Sequence, residues 1–136
     1  KYSKSSYKRR RNPPKMYLVD TGLAPNTVFV DKGRLLENIV YLELKRLDCE
    51  IHYFEENNEC DFIVKNINGA IDAIQVTWEL NENNKKREYA GLIEACKYLK
   101  LKNGFILTMN EENEEIIDHI KIRTISVWKW ILENEV

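Results

Sequence analysis

The sequence is poor in several things that would define a class of protein. It holds three cysteines, two histidines, three prolines and five glycines in 136 residues. Cys49, Cys60 and Cys96 are odd in number and form no CxxC spacing, which excludes a disulfide framework and a zinc knuckle. His52 and His119 have no partners at metal-ligand spacing and are expected to be strand and turn residues. No apolar run approaches the roughly 18 residues of a membrane span, so no membrane partner is expected. The basic N-terminus has no apolar segment behind it, so no secretory signal is expected. A Gly-rich loop ending in Lys-Ser or Lys-Thr is missing, which excludes a phosphate-loop nucleotide site in these residues. Internal repeats and low-complexity segments are absent too. Together these point to a reducing, cytoplasmic setting. The chain also starts without Met, as a piece of a longer protein would.

What is there is ordinary for a folded domain: 43% apolar and 32% charged residues, enough chain for one sizeable core. The charge is unevenly spread. Residues 1–19 hold seven Lys or Arg and no acid, so the remainder sets fourteen bases against 22 acids, a net charge of −8. Lys1 to Pro14 ends in Pro13-Pro14, which blocks helix and favours an extended segment. Residues 1–14 are therefore a basic arm or linker ahead of a domain over residues 15–136. Two readings of it stay open: an arm contacting nucleic acid through Lys8, Arg9, Arg10 and Arg11, or a solvated linker.

Hydrophobic periodicity gives the elements. Met16 to Val19 and Val28 to Val30 are short strand-like patches. Leu36, Ile39, Val40, Leu44 and Leu47 make one face of a helix over 34–47, entered through Asp31-Lys32-Gly33. Strands are expected at 50–54, 59–64 and 73–78, the last two joined by a turn containing Gly69. Tyr89, Leu92, Ile93, Cys96 and Leu99 stripe a second helix, and the almost wholly apolar Gly104 to Met109 predicts a central strand covered on both faces. An acidic turn over 110–115, a hairpin around Asp118-His119 and a short helix over 127–132 complete the chain. The order predicts an α/β fold, with a mixed central sheet flanked by helices.

A polar constellation interrupts this apolar pattern. Asp61 heads one strand, while Gln75 and Thr77 share a face of the next, in the spacing Asp-x13-Gln-x-Thr. Converging oxygens with formal charge are what a hard cation requires. Glu37 lies on or beside the apolar face of the first helix, where a carboxylate must be paired, hydrogen-bonded or metal-bound. Each has a plainer reading: a first-turn Glu favoured by the helix dipole, an Asp binding turn amides, a satisfied buried amide. Lys85, Lys86 and Arg87 occupy the first turn of the second helix, where the dipole disfavours cations. They are expected either to face a phosphate backbone or to be a solvated end.

The order helix–strand–strand–strand–helix–strand, with Glu37 on the first helix, Asp61 on the second strand and Gln75-x-Thr77 on the third, resembles the PD-(D/E)XK nuclease superfamily, nearest its Holliday-junction-resolvase-like branch. Tyr17 to Leu23, Gly33 to Asn38, Glu59 to Phe62 and Ile74 to Val76 resemble, more closely, the uncharacterised domain that follows an AAA+ ATPase module in many prokaryotic proteins. The resemblance runs from about Lys15 to Leu132. It implies a restriction-endonuclease-like core in αβββαβ order, with Glu37, Asp61 and Gln75 as the metal set for Mg²⁺ or Mn²⁺ and Thr77 at the position of the catalytic Lys. Gln75 stands for a second acid and removes one negative charge; Thr77 cannot replace an ammonium. Lys65, at the end of the Asp61 strand, is the candidate substitute. The expectation is a DNA-engaging module with a degenerate metal site, using ATP only through an upstream AAA+ module. An active Mg²⁺- or Mn²⁺-dependent endonuclease and a non-catalytic assembly domain, oligomeric or not, are the alternatives.

Overall fold

A computed structural model describes residues 31–135. Three helices, α1 (Lys32–Arg46), α2 (Lys85–Leu99) and α3 (Val127–Glu133), flank six strands: β1 (Glu50–Glu55), β2 (Glu59–Lys65), β3 (Ile71–Val76), β4 (Asn103–Thr108), β5 (Asn113–Ile117) and β6 (Ile120–Ser126). The strands form one mixed sheet in the order β1-β2-β3-β4-β6-β5. β1, β2 and β3 are antiparallel; β3, β4 and β6 run parallel; β5 returns antiparallel on β6. The α/β fold and the αβββαβ order expected from the sequence are both present.

Side-chain periods explain the layers. Leu36, Val40 and Leu44, one turn apart on α1, bury against Phe62, Val64, Ile74 and Val76, and Val127 and Trp130 of α3 join the same core. On the other face Tyr89, Leu92, Ala95 and Cys96 of α2 pack on Cys60, Ile63, Ala73 and Ile106. β4 lies between two parallel neighbours, with Ile106 and Leu107 fully buried, as its unbroken apolar run predicts. Asp31 caps α1 by accepting the Arg34 N–H (3.1 Å). The β5–β6 hairpin turns through Asp118 and His119, both at positive φ (53° and 68°), the geometry of a two-residue type I′ turn.

Two sequence expectations need correction. The strand expected to run to Trp78 ends at Val76, because the Thr77 hydroxyl turns to the Glu79 carbonyl (3.1 Å) and draws the chain toward α2. The acidic turn is shorter than 110–115: Asn113, Glu114 and Glu115 join β5, where Glu114 faces Arg123 across the ladder. The expected strands at 16–19 and 28–30, and the basic arm with Lys8, Arg9, Arg10 and Arg11, lie outside the described residues.

Gly91 sets how closely α2 approaches the sheet. A Cβ there would lie 1.9 Å from the Glu59 carbonyl oxygen and 2.6 Å from Gln75 Nε2. Backbone cannot yield as a flexible side chain would, so Gly91→Ala is expected to cost about 3 kcal/mol despite its better helix propensity. Among the described residues, Gly33→Ala in α1 meets only Asp31 Oδ1 at 3.4 Å, and it is expected to be neutral or stabilising by up to ~1 kcal/mol. Thermal melts of the two variants check this; equal midpoints would contradict it.

Candidate functional site

The site begins at an irregularity in β2. His52 pairs with Ile63 and Phe54 with Cys60, so Asp61 and Phe62 together stand opposite the single residue Tyr53. This β-bulge puts Cys60 and Ile63 on the α2 face and Phe62 and Val64 on the α1 face. The register with β3 reaches Phe62–Ile74 and goes no further toward Asp61. Beyond it two side chains take over from the backbone. Gln75 Oε1 accepts the Asp61 N–H (2.8 Å), and Asp61 Oδ2 accepts the Val76 N–H (2.8 Å). Each strand's side chain thus satisfies the other strand's backbone where the ladder has parted.

The parting opens a cleft of about 580 Å³ at the carboxyl end of β3. Glu37 from α1, Asp61, Gln75 and Thr77 all line it, so the structure brings the four residues singled out from the sequence to one place. Arg34 and Asp31 border it from the start of α1, and Arg87 and Glu88 from the start of α2. With Glu59, the described residues of the lining include five carboxylates and two guanidiniums, and Arg87 Nη2 lies 3.7 Å from Glu88 Oε1. The wall is held firmly. Glu94 of α2 accepts the amides of Asn57 and Asn58 (2.8 and 3.1 Å) and the Asn58 side chain (3.0 Å), latching the β1–β2 turn to the helix.

A divalent cation here would draw on the carboxylates of Glu37 and Asp61. Gln75, 2% exposed, is spent on backbone: beside its bond to Asp61, its Nε2 donates to the carbonyls of Glu59 (2.9 Å) and Glu88 (3.2 Å). Thr77 Oγ1 donates to Glu79 O and accepts from Asn84 Nδ2 (3.3 Å). Among the described residues no three His, Cys, Asp or Glu converge to hold an ion. This donor set does not fit a cation centre built on three side chains. Cys60, beside Asp61, is no nucleophile: burial pushes its pKa well up, and its Sγ lies 3.5 Å from the Ile74 carbonyl oxygen. Lys65 is exposed at the far end of β2, and His52 Nε2 lies 2.6 Å from Glu50 Oε1 on the edge strand.

Of the cations expected to meet phosphate, Lys85, Lys86 and Arg87 are exposed on the first turn of α2, and Arg87 reaches the cleft. Lys85 leans away, over the Tyr89 ring (5.4 Å) and 3.9 Å from Glu115. Sequence reasoning missed Arg34, Glu59, Glu88 and Glu94, whose residue types carry no distinguishing pattern. Gly91 did leave a signal, an isolated glycine inside a helical stripe.

Fold and cleft together define an α/β domain with a polar pocket at the carboxyl end of a parallel strand, a usual location for ligands in open sheets. The chain belongs to the family described as Domain of unknown function (DUF4143), whose profile matches residues 32–129. It is similar to "Uncharacterized protein MJ1544" of Methanocaldococcus jannaschii, 40% identical over 114 residues, covering 75% of this chain. The match spans 25% of that relative's length. No solved structure matches the chain significantly.

Asp61→Ala is expected to cost about 1–3 kcal/mol in urea denaturation, because the Val76 N–H loses its acceptor inside the sheet. Asp61→Asn keeps an oxygen there and is expected to cost less. An alanine variant as stable as the parent would show that the carboxylate does not tie the strands.

Proposed function

We propose that this is a nuclease-derived domain that engages nucleic acid without cutting it, working as the C-terminal module of an AAA+ ATPase of the PD-(D/E)XK-related kind. One observation carries the reading: Glu37 of α1, Asp61 of β2, and Gln75 and Thr77 at the end of β3 line a single cleft within the αβββαβ order, while Gln75 and Thr77 are committed to backbone and helix-entry contacts. Restriction-endonuclease-like ancestry accounts for the convergence. The spent carboxamide accounts for the loss of hydrolysis. That the match spans a quarter of the archaeal relative supports a domain that serves within a longer chain.

On this reading the phosphates lie at the rim. Lys86, Arg87 and Arg34 project, exposed, from the starts of the two helices, and a phosphodiester would meet these cations first. So few contacts imply weak, salt-sensitive binding, with Kd on the order of 10⁻⁴–10⁻⁶ M at physiological salt. A second reading, a protein-docking domain, is favoured by the exposed Trp128 and Leu132, one turn apart on α3.

The 136-residue chain incubated with supercoiled and branched DNA, with and without Mn²⁺, tests this. Salt-dependent retardation without cutting is expected, with the salt slope falling by about 2 in Lys86→Ala/Arg87→Ala. Cutting that vanishes in Asp61→Ala would make the domain an endonuclease. Absence of retardation even at low salt would favour the docking domain.

A further inference from the structure

α2 starts under unfavourable conditions. Its N-cap residue Asn84 makes no side-chain bond to the helix amides, and three of the first four helical residues are the cations Lys85, Lys86 and Arg87. Three cations outweigh Glu88 in that turn and oppose the dipole, and the side-chain cap lies ahead of the helix, where Asn81 Oδ1 accepts the Asn83 and Asn84 N–H groups (2.8 and 3.0 Å). α1, by contrast, is capped by Asp31. Yet α2 begins at a defined place on the cleft rim, so something outside the helix holds it.

Two side chains do so, and they are the two polar groups of the Gln75-x-Thr77 face. A carboxamide has two donor hydrogens and an acceptor oxygen. Gln75 uses the oxygen on Asp61 N–H and Nε2 on both Glu59 O and Glu88 O, so one side chain joins β3, the β2 bulge and the first turn of α2. Glu88 O is reached because Gly91, on the same helix, has no Cβ to keep α2 off the sheet. Thr77 Oγ1 meets Asn84 Nδ2, which also donates to Glu79 O (2.8 Å), and Asn84 Oδ1 accepts the Asn81 N–H (2.9 Å). The segment between β3 and α2 is thereby folded back on Thr77.

We propose that Gln75 and Thr77 are positioning residues whose task is to fix the cationic first turn of α2 on the cleft rim. A carboxylate at 75 could not do this, since it would present acceptors to the carbonyls of Glu59 and Glu88. The anchoring itself stands without the nucleic-acid reading; only its consequence for DNA rests on it.

The test is amide hydrogen exchange by NMR on the full chain, comparing Gln75→Met, Thr77→Val and Thr77→Ser. The amides of Lys85 and Glu88, bonded to Asn81 O and Asn84 O (both 2.9 Å), report on the turn. Both apolar variants are expected to speed their exchange roughly tenfold or more while the β4 amides keep parental rates, and Thr77→Ser is expected to restore protection. Unchanged exchange at Lys85 and Glu88, or a uniform rise across the sheet, would overturn the proposal. Should Gln75→Met not fold, the Thr77 pair decides alone. In parallel, DNA affinity is expected to fall severalfold in Thr77→Val although no cation is removed. Full affinity in a variant with a loosened turn would overturn the link to DNA, whereas a parent chain that binds no DNA would remove the nucleic-acid reading and leave the exchange result standing.

Discussion

Everything at the cleft depends on one exchange of hydrogen bonds between neighbouring strands. Where β2 bulges, its amide at Asp61 can no longer meet a backbone carbonyl of β3, and the Val76 amide faces the same loss. A buried unpaired amide costs about 1–3 kcal/mol, so two of them would be a large share of a small domain's stability. The side chains of Gln75 and Asp61 remove that cost reciprocally, each at 2.8 Å. The strands can then separate, and the space between them becomes the cleft.

The same bonds decide what the cleft can do. Asp61 has one carboxylate oxygen committed to holding β3, and Gln75 has both ends of its amide committed to β2 and α2. These polar groups are part of the frame. With Gly91 permitting the close approach and Glu94 latching the β1–β2 turn, the wall on the α2 side is joined to the sheet at three points.

Much of the architecture was legible in the sequence because it rests on periodicity. The stripe at Leu36, Val40 and Leu44, the stripe from Tyr89 to Leu99 and the apolar run after Gly104 each have a period that permits one element. The gathering of Glu37, Asp61, Gln75 and Thr77 was also legible, through the order in which they occur. The bulge was not. Period-two alternation would set Cys60, Phe62 and Val64 on one face, whereas the structure sends Cys60 with Ile63 to the α2 side. A single inserted residue leaves no compositional mark, and its partner strand must be known before it can be seen. The choice between ligand and satisfied amide at Gln75 was equally closed to the sequence, since it turns on where two carbonyls, sixteen residues back and thirteen ahead, come to lie. The end of β3 was misplaced for a related reason: Thr77 has strand propensity, but its hydroxyl is taken by the helix entry.

The most direct measurement is of scalar couplings transmitted through hydrogen bonds in the folded chain by NMR. The account predicts correlation of the Asp61 amide nitrogen with the side-chain carbonyl carbon of Gln75, and of the Val76 amide nitrogen with the carboxyl carbon of Asp61. Coupling of those two amides to backbone carbonyls of the facing strand would mean an unbroken ladder, and the cleft would have no basis.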